Sequence, residues 1–226
     1  MQTKFLRLAL LPLLWIVAPV MAESPQDAKA KPIVWKLDQL ESIGGHKTTQ
    51  LGSPRLIETP HGKAVEFDGK GDALFVESNP LAGMKVFTAE VVFRPAADGP
   101  KEQRFLHFQE DGSENRLLFE TRLTADDRWF LDTYIKSGEG NYTLYAEKSL
   151  HPIGPWYAAA VTMDGKTMRH YVNGVEELNA AVTVKPQGPG QTSIGVRFNK
   201  VFWYKGAIRQ VRVTPSVLAP QDFLKP

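Results

Sequence analysis

An all-β fold, built as a two-sheet antiparallel β-sandwich, is what this sequence predicts, on three observations. From Ile33 onward, apolar residues recur at every second position in short runs and not at helical spacing. Gly, Pro, Asn and Asp interrupt those runs at close intervals, as turns between strands require. Eleven such runs can be counted, and one open sheet of that size could not bury both faces, so two sheets must pack or one must close.

In order, "KAVEFDG" directs Phe67 inward and ends where Gly69 and Gly71 permit a turn into "ALFVES". "FTAEVVFRP" alternates Phe87, Ala89, Val91 and Phe93 with Thr88, Glu90, Val92 and Arg94, and Pro95 ends it. "RFLHFQE" puts His107 on the face of Phe105 and Gln109. "RLLFETRL" puts Arg116, Leu118, Glu120 and Arg122 on one face and Leu117, Phe119, Thr121 and Leu123 on the other. "RWFLDTYIK" sets Trp129, Leu131, Thr133 and Ile135 against Phe130, Asp132 and Tyr134. "YTLYAEK" precedes a meander of "WYAAAVTMDG" and "TMRHYVNG", in which Asn173-Gly174 suits a type I′ turn because both residues must take positive φ. "TSIGVRFN" places Arg197 with Asn199, and "GAIRQVRVT" closes the series. Only "PLAGMK" and the tail "PQDFLK" offer brief helical candidates. The turns share no repeat period, which argues against a propeller or solenoid.

The N-terminus has a different character. Lys4 and Arg7 precede an apolar run from Leu8 to Val20, and Val20-Met21-Ala22 fits a signal-peptidase site. Residues 1–22 therefore read as a secretory signal peptide, since the apolar run is shorter than the roughly 20 residues a spanning helix needs. Residues 23–32, "ESPQDAKAKP", read as a flexible lead-in, and residues 33–226 as one domain. The expected location is secreted or periplasmic, with no stable membrane insertion after cleavage.

The chain has 27 Lys and Arg against 25 Asp and Glu, and the excess is Lys4 and Arg7. A mature chain without net charge or a basic run gives no basis for a nucleic-acid partner. There is no Cys, which excludes disulfides, thiolate metal sites and a Cys nucleophile. No phosphate-cradling Gly motif, Gly-x-Ser-x-Gly or His-Glu-x-x-His occurs. His46, His61, His107, His151 and His170 stand in different segments at no ligand-like spacing, so no metal ligands are assigned.

The order of "AVEFDGKGDALFV", "FTAEVVFRP", "WYAAAVTMDGKTMRHYVNG", "SIGVR" and "WYKGAIRQVRVTPSVLAPQDF" resembles the concanavalin A-like lectin/glucanase superfamily, and within it the laminin G-like jelly-roll domains. The resemblance covers Ile33 to Phe223 and implies a jelly roll. It also implies a choice of functions, since that superfamily includes lectins, adhesion domains, glucanases and polysaccharide lyases. Glucanases of this fold carry Glu-x-Asp-x-x-Glu, of which only Glu66-Phe67-Asp68 is present. Calcium is the cofactor the resemblance raises, but where relatives carry an acidic pair in the last strand this chain has Arg209 and Gln210. Asp68 and Asp72 are the remaining oxygen donors, with local turn bonding as their alternative role.

The candidate ligand-binding residues are Arg116, Glu120, Arg122, Asp132, Tyr134, His107 and Arg197, whose side chains hydrogen-bond sugar hydroxyls or uronate carboxylates. The competing role for the charged row is cross-strand ion pairing on a solvated sheet. Of Phe202, Trp203 and Tyr204, alternation leaves at least one outside the core. Three functions follow: a lectin-like protein binding an extracellular or envelope polysaccharide, a polysaccharide lyase or atypical glycoside hydrolase, and a protein-binding adhesion module. For the lyase, Arg116 or Arg122 would neutralise a carboxylate while His107 and Tyr134 exchange protons.

Overall fold

Seventeen strands form over residues 31–226, the part of the chain that this computed structural model describes. The expected signal peptide and most of the lead-in lie outside the described residues. In chain order the strands are β1 (Ile33–Lys36), β2 (Ser42–Ile43), β3 (His46–Leu51), β4 (Arg55–Thr59), β5 (Gly62–Asp68) and β6 (Ala73–Val76). There follow β7 (Phe87–Pro95), β8 (Glu102–Glu110), β9 (Arg116–Leu123), β10 (Arg128–Ser137), β11 (Gly140–Tyr145) and β12 (His151–Pro152). The last are β13 (Tyr157–Met163), β14 (Thr167–Val172), β15 (Val175–Ala181), β16 (Gly190–Ile194) and β17 (Lys205–Thr214).

They make two sheets. One has eight strands in the order β15-β14-β13-β7-β17-β5-β4, with β1 also on β17. The other has nine in the order β11-β10-β9-β8-β16-β6-β3-β2, with β12 also on β10. The two antiparallel sheets form the expected sandwich. All eleven expected runs contribute strands, and β1 to β4, β12 and β15 are additional. These six are short, or polar like "HKTTQL" of β3, so their alternation is too weak to read in isolation.

The two sheets meet over an aromatic centre. Phe93 of β7 stacks on Phe105 of β8 with ring centroids 4.5 Å apart, and meets Trp129 of β10 edge-on at 5.2 Å. All three are buried. A polar tie also crosses the interior, where Thr133 Oγ1 of β10 and His170 Nδ1 of β14 share a hydrogen bond of 3.0 Å. Burial holds the His170 pKa down at about 4, so the ring is neutral at physiological pH.

Three local expectations are corrected. The pairing of β8 with β9 slips between Arg104 and Leu106, so Phe105 is a bulge residue and turns into the core instead of sharing a face with His107 and Gln109. "TSIGVRFN" is not a continuous strand, because Gly195 leaves β16 at φ +91, where a Cβ would lie 2.5 Å from the Phe67 ring. Arg197 therefore sits in a loop. "PLAGMK" forms turns and not a helix, with Gly83 at φ +78 breaking it, whereas the tail does form a 3-10 turn over Pro220–Asp222. Asn173 and Gly174 take φ of 50° and 82°, as the type I′ turn needs.

Replacing Phe93 by Ala opens a cavity at the contact between the sheets. Urea unfolding is expected to show a loss of about 3–5 kcal/mol; a loss below about 1 kcal/mol would mean that Phe93 is not central to the core.

Candidate functional site

Cross-strand register decides which side chains share the face of the nine-stranded sheet that turns away from the core. On β9 and β10, Glu120 stands opposite Asp132, and Arg122 opposite Phe130. On β8 and β9, Glu102 stands opposite Arg122, Arg104 opposite Glu120, His107 opposite Leu118 and Gln109 opposite Arg116. The inward set, Phe119, Trp129, Leu131 and Ile135, is core. The charged row thus lies on the outward face. Arg104 belongs to it, although strict alternation back from His107 would have turned it inward; the bulge at Phe105 restores it.

At one end the row is a tight ion cluster. The Arg122 guanidinium lies 2.7 Å from Asp132 Oδ2, 3.1 Å from Glu120 Oε2 and 2.7 Å from Glu102 Oε2. Arg104 Nη2 reaches Glu120 Oε2 at 3.2 Å. The row is paired but not solvated, because Glu120 is 2% and Asp132 1% exposed. Aromatic rings cover the cations: Tyr145 lies 5.6 Å from Arg122, Tyr134 4.9 Å from Arg116 and Phe202 3.6 Å from Arg104, measured to ring centroids. Burial, reinforced by the Asp132 charge opposite, pushes the Glu120 pKa up to about 7 against the pull of Arg104 and Arg122. Burial likewise raises Asp132, with Arg122 opposing it.

The other end is organised by the loop from Gly195 to Tyr204. The amide of Phe198 donates to His107 Nδ1 at 3.3 Å, and the two rings meet edge-on with centroids 4.8 Å apart. Burial, and then the charges of Arg116, Arg197 and Arg104, hold the His107 pKa at about 3. Phe202 takes φ +64, a strained value for a bulky residue, and is held by its carbonyl accepting the Arg104 amide at 2.8 Å. As expected of that aromatic run, Phe202 is partly exposed while Tyr204 is core. Beside Phe198 opens a cleft of about 200 Å³ lined also by Gln109, Glu110 and Gln191.

All seven sequence-predicted residues therefore border one surface. Arg116, Glu120, Arg122, Asp132, Tyr134 and His107 share the face, and Arg197 reaches its edge from the loop. Arg104, Phe198 and Gln191 were not anticipated as members. The adjacent apolar pair Phe105-Leu106, a break in alternation within "RFLHFQE", is the sequence signal that could have revealed Arg104.

Asp68 and Asp72 serve the turn that joins β5 to β6. Asp68 Oδ1 accepts the amides of Lys70, Gly71 and Asp72, while Asp72 accepts those of Ser53 and Asp68. A larger cleft, about 340 Å³, borders this turn between Arg55, Lys70 and Lys205, and its Glu66 is paired with Arg55. Among the described residues no three His, Asp or Glu side chains gather as a metal would require. No helix among them is long and apolar enough to cross a membrane.

The laminin G family, described as Concanavalin A-like lectin/glucanases superfamily, matches residues 68–222. No curated protein matches the chain. Among solved structures, the chain is similar to domain 4 of AbnA, a GH43 extracellular arabinanase from Geobacillus stearothermophilus in complex with arabinotriose: 18% identity, 85% of this chain and 96% of that one, TM-score 0.62. It is also similar to the botulinum neurotoxin serotype D binding domain, at 12% identity, 84% of this chain and TM-score 0.59. A botulinum neurotoxin type C structure, whose cell uptake depends on interaction with two ganglioside molecules, is 11% identical over 84% of this chain with TM-score 0.60. The chain spans about half the length of these toxin chains, 50% and 49%. At such identities the likeness is one of fold.

The raised Glu120 pKa has a measurable sign. Its contribution to stability is fully present below the unfolded value of 4.5 and is lost as pH rises through about 7. Between pH 5 and 8, wild-type stability is expected to decline with pH relative to Glu120→Gln, the difference reaching on the order of 2 kcal/mol in urea titrations. His107 pulls in the opposite direction but is present in both proteins. Parallel pH profiles would contradict the assignment.

Proposed function

Because this chain belongs to the concanavalin A-like lectin/glucanases superfamily, we propose that it is an exported, lectin-like protein that binds a polysaccharide through the outward face of its nine-stranded sheet and does not cleave it. The observation that carries the reading is the meeting of aromatic faces and hydrogen-bonding groups at one edge of the row. Phe198 borders the cleft of about 200 Å³ together with Gln109 and Gln191, and Phe202 and Arg197 stand on the same loop. A sugar ring presents an apolar face to an aromatic ring and hydroxyls to amides and guanidinium groups, so this combination suits it.

Burial supports binding over catalysis. A glycosidase acid must come within hydrogen-bond reach of the glycosidic oxygen. Glu120 and Asp132, at 2% and 1% exposure, are enclosed by Arg122, Arg104 and Tyr145 and already hydrogen-bonded to Arg122. The lyase roles fare no better, since Nδ1, the one acceptor nitrogen of the neutral His107 ring, is already taken by the Phe198 amide and is not free to accept a proton. The arabinanase domain and the type C toxin, with their arabinotriose and gangliosides, add support by fold alone.

Affinity electrophoresis through gels containing neutral and acidic polysaccharides is expected to retard the protein in at least one, with no release of reducing ends or unsaturated products. Gln191→Ala, on an exposed position of β16, should weaken that binding several-fold through a lost hydrogen bond. Mobility unchanged in every gel would refute the reading.

Export rests on the N-terminal sequence, and N-terminal sequencing of the protein recovered outside the cytoplasm is expected to begin at Glu23. Recovery with Met1 intact in a membrane fraction would reject it.

A further inference from the structure

Three buried nitrogen donors, running from the edge of the ion cluster to the far end of the row, have no acceptor among the described residues: Arg104 Nε, His107 Nε2 and Arg116 Nε. Register brings them together. Arg104 and His107 stand on the outward face of β8, and Arg116 faces Gln109 just beyond. Because His107 Nδ1 accepts the Phe198 amide, the neutral ring carries its proton on Nε2, in a residue only 1% exposed. Arg197, beside Phe198 on the crossing loop, makes no ion pair among the described residues.

The acids of the row do not balance this end. Glu120, Asp132 and Glu102 are engaged by Arg122 and Arg104, and the partner of Arg116 is Glu114, whose side chain is 69% exposed. The like charges press on one another: burial, then Arg116 and Arg104, lowers the pKa of Arg197. Donors and positive charge are both in excess here, and both are relieved by one kind of ligand.

We propose that Arg104, His107, Arg116 and Arg197 form a subsite for an oxyanion carried on the bound glycan, either a uronate carboxylate or a sulfate ester. This rests on the glycan-binding reading above. Guanidinium groups present paired N–H donors that fit carboxylate or sulfate oxygens, and such charge-assisted hydrogen bonds are stronger than those to hydroxyls. Phe198 and Phe202 flank the donors, the first against His107 and the second against Arg104. The neighbouring cleft at Gln109 and Gln191 would take the uncharged part of the sugar.

Affinity electrophoresis in alginate, dextran sulfate and neutral dextran, with Arg197→Ala and Lys166→Gln as variants, tests the subsite. Lys166 is exposed on a turn of the other sheet and controls for net charge. The wild type is expected to be retarded by alginate, if the group is a carboxylate, or by dextran sulfate, if it is a sulfate, and not by dextran. Arg197→Ala should weaken that binding about ten-fold and Lys166→Gln leave it unchanged. Retardation by dextran with no effect of Arg197→Ala, or equal losses in both variants, overturns the subsite and leaves the glycan reading standing. If no polysaccharide retards the protein, thermal shift with galacturonate or inorganic sulfate separates the two failures. A rise in Tm for the wild type but not for Arg197→Ala would support the anion site and sink the glycan reading, whereas no rise would overturn both.

Discussion

The stacked contact between Phe93 and Phe105, with centroids 4.5 Å apart, joins the middle strands of the two sheets. Phe105 reaches it only because β8 carries one residue more than its partner β9. That extra residue does two things at once. It lets Phe105 and Leu106, adjacent in sequence, both point into the core, and it resets the alternation so that Arg104 and His107 both point out. Without it, either Arg104 or His107 would face the sandwich interior, where a charge without partners is costly. The aromatic centre and the outward charged surface therefore depend on the same local irregularity.

The outward surface is unusual for an exposed sheet face in how little water it admits. Arg122 gathers Glu102, Glu120 and Asp132, and Tyr145 covers it. Buried ion clusters of this kind contribute little net stability, because desolvation offsets much of the Coulomb attraction. Their effect is geometric: each partner fixes the others' rotamers, which makes a stiff platform. The loop from Gly195 to Tyr204 completes the platform at some conformational cost, since Phe202 is held at positive φ against Arg104. At one end the charges are matched, and at the other, around His107 and Arg197, they are not. That asymmetry is the observation on which the proposed oxyanion subsite rests.

Function on this fold cannot be taken from the fold, because the same sandwich carries binding and catalysis alike. Identities of 11% to 18% with the solved relatives do not transfer a binding site. The proposed binding role rests instead on the exposure of individual side chains. The carboxylates that residue type alone would nominate for catalysis are enclosed, whereas Gln191, Phe202 and Arg197 remain accessible at the rim.

Strand periodicity was legible wherever a long run sets an apolar face against one that carries polar or charged residues, as in β7, β9 and β10, since packing one face against the other sheet imposes a two-residue repeat on the sequence. Edge strands such as β15, "VEELNAA", bury little and leave no such mark. The sequence by itself determined the all-β class, the Asn173-Gly174 turn and the sharing of one face by Arg116, Glu120 and Arg122, because each depends on neighbours along the chain. Only the tertiary structure decided that this face turns away from the core, that Asp132 stands opposite Glu120, that Arg104 joins them and that Arg197 comes to His107 from a loop. Those outcomes depend on strand pairing and on one bulge, which set distances between residues far apart in sequence and are invisible to periodicity.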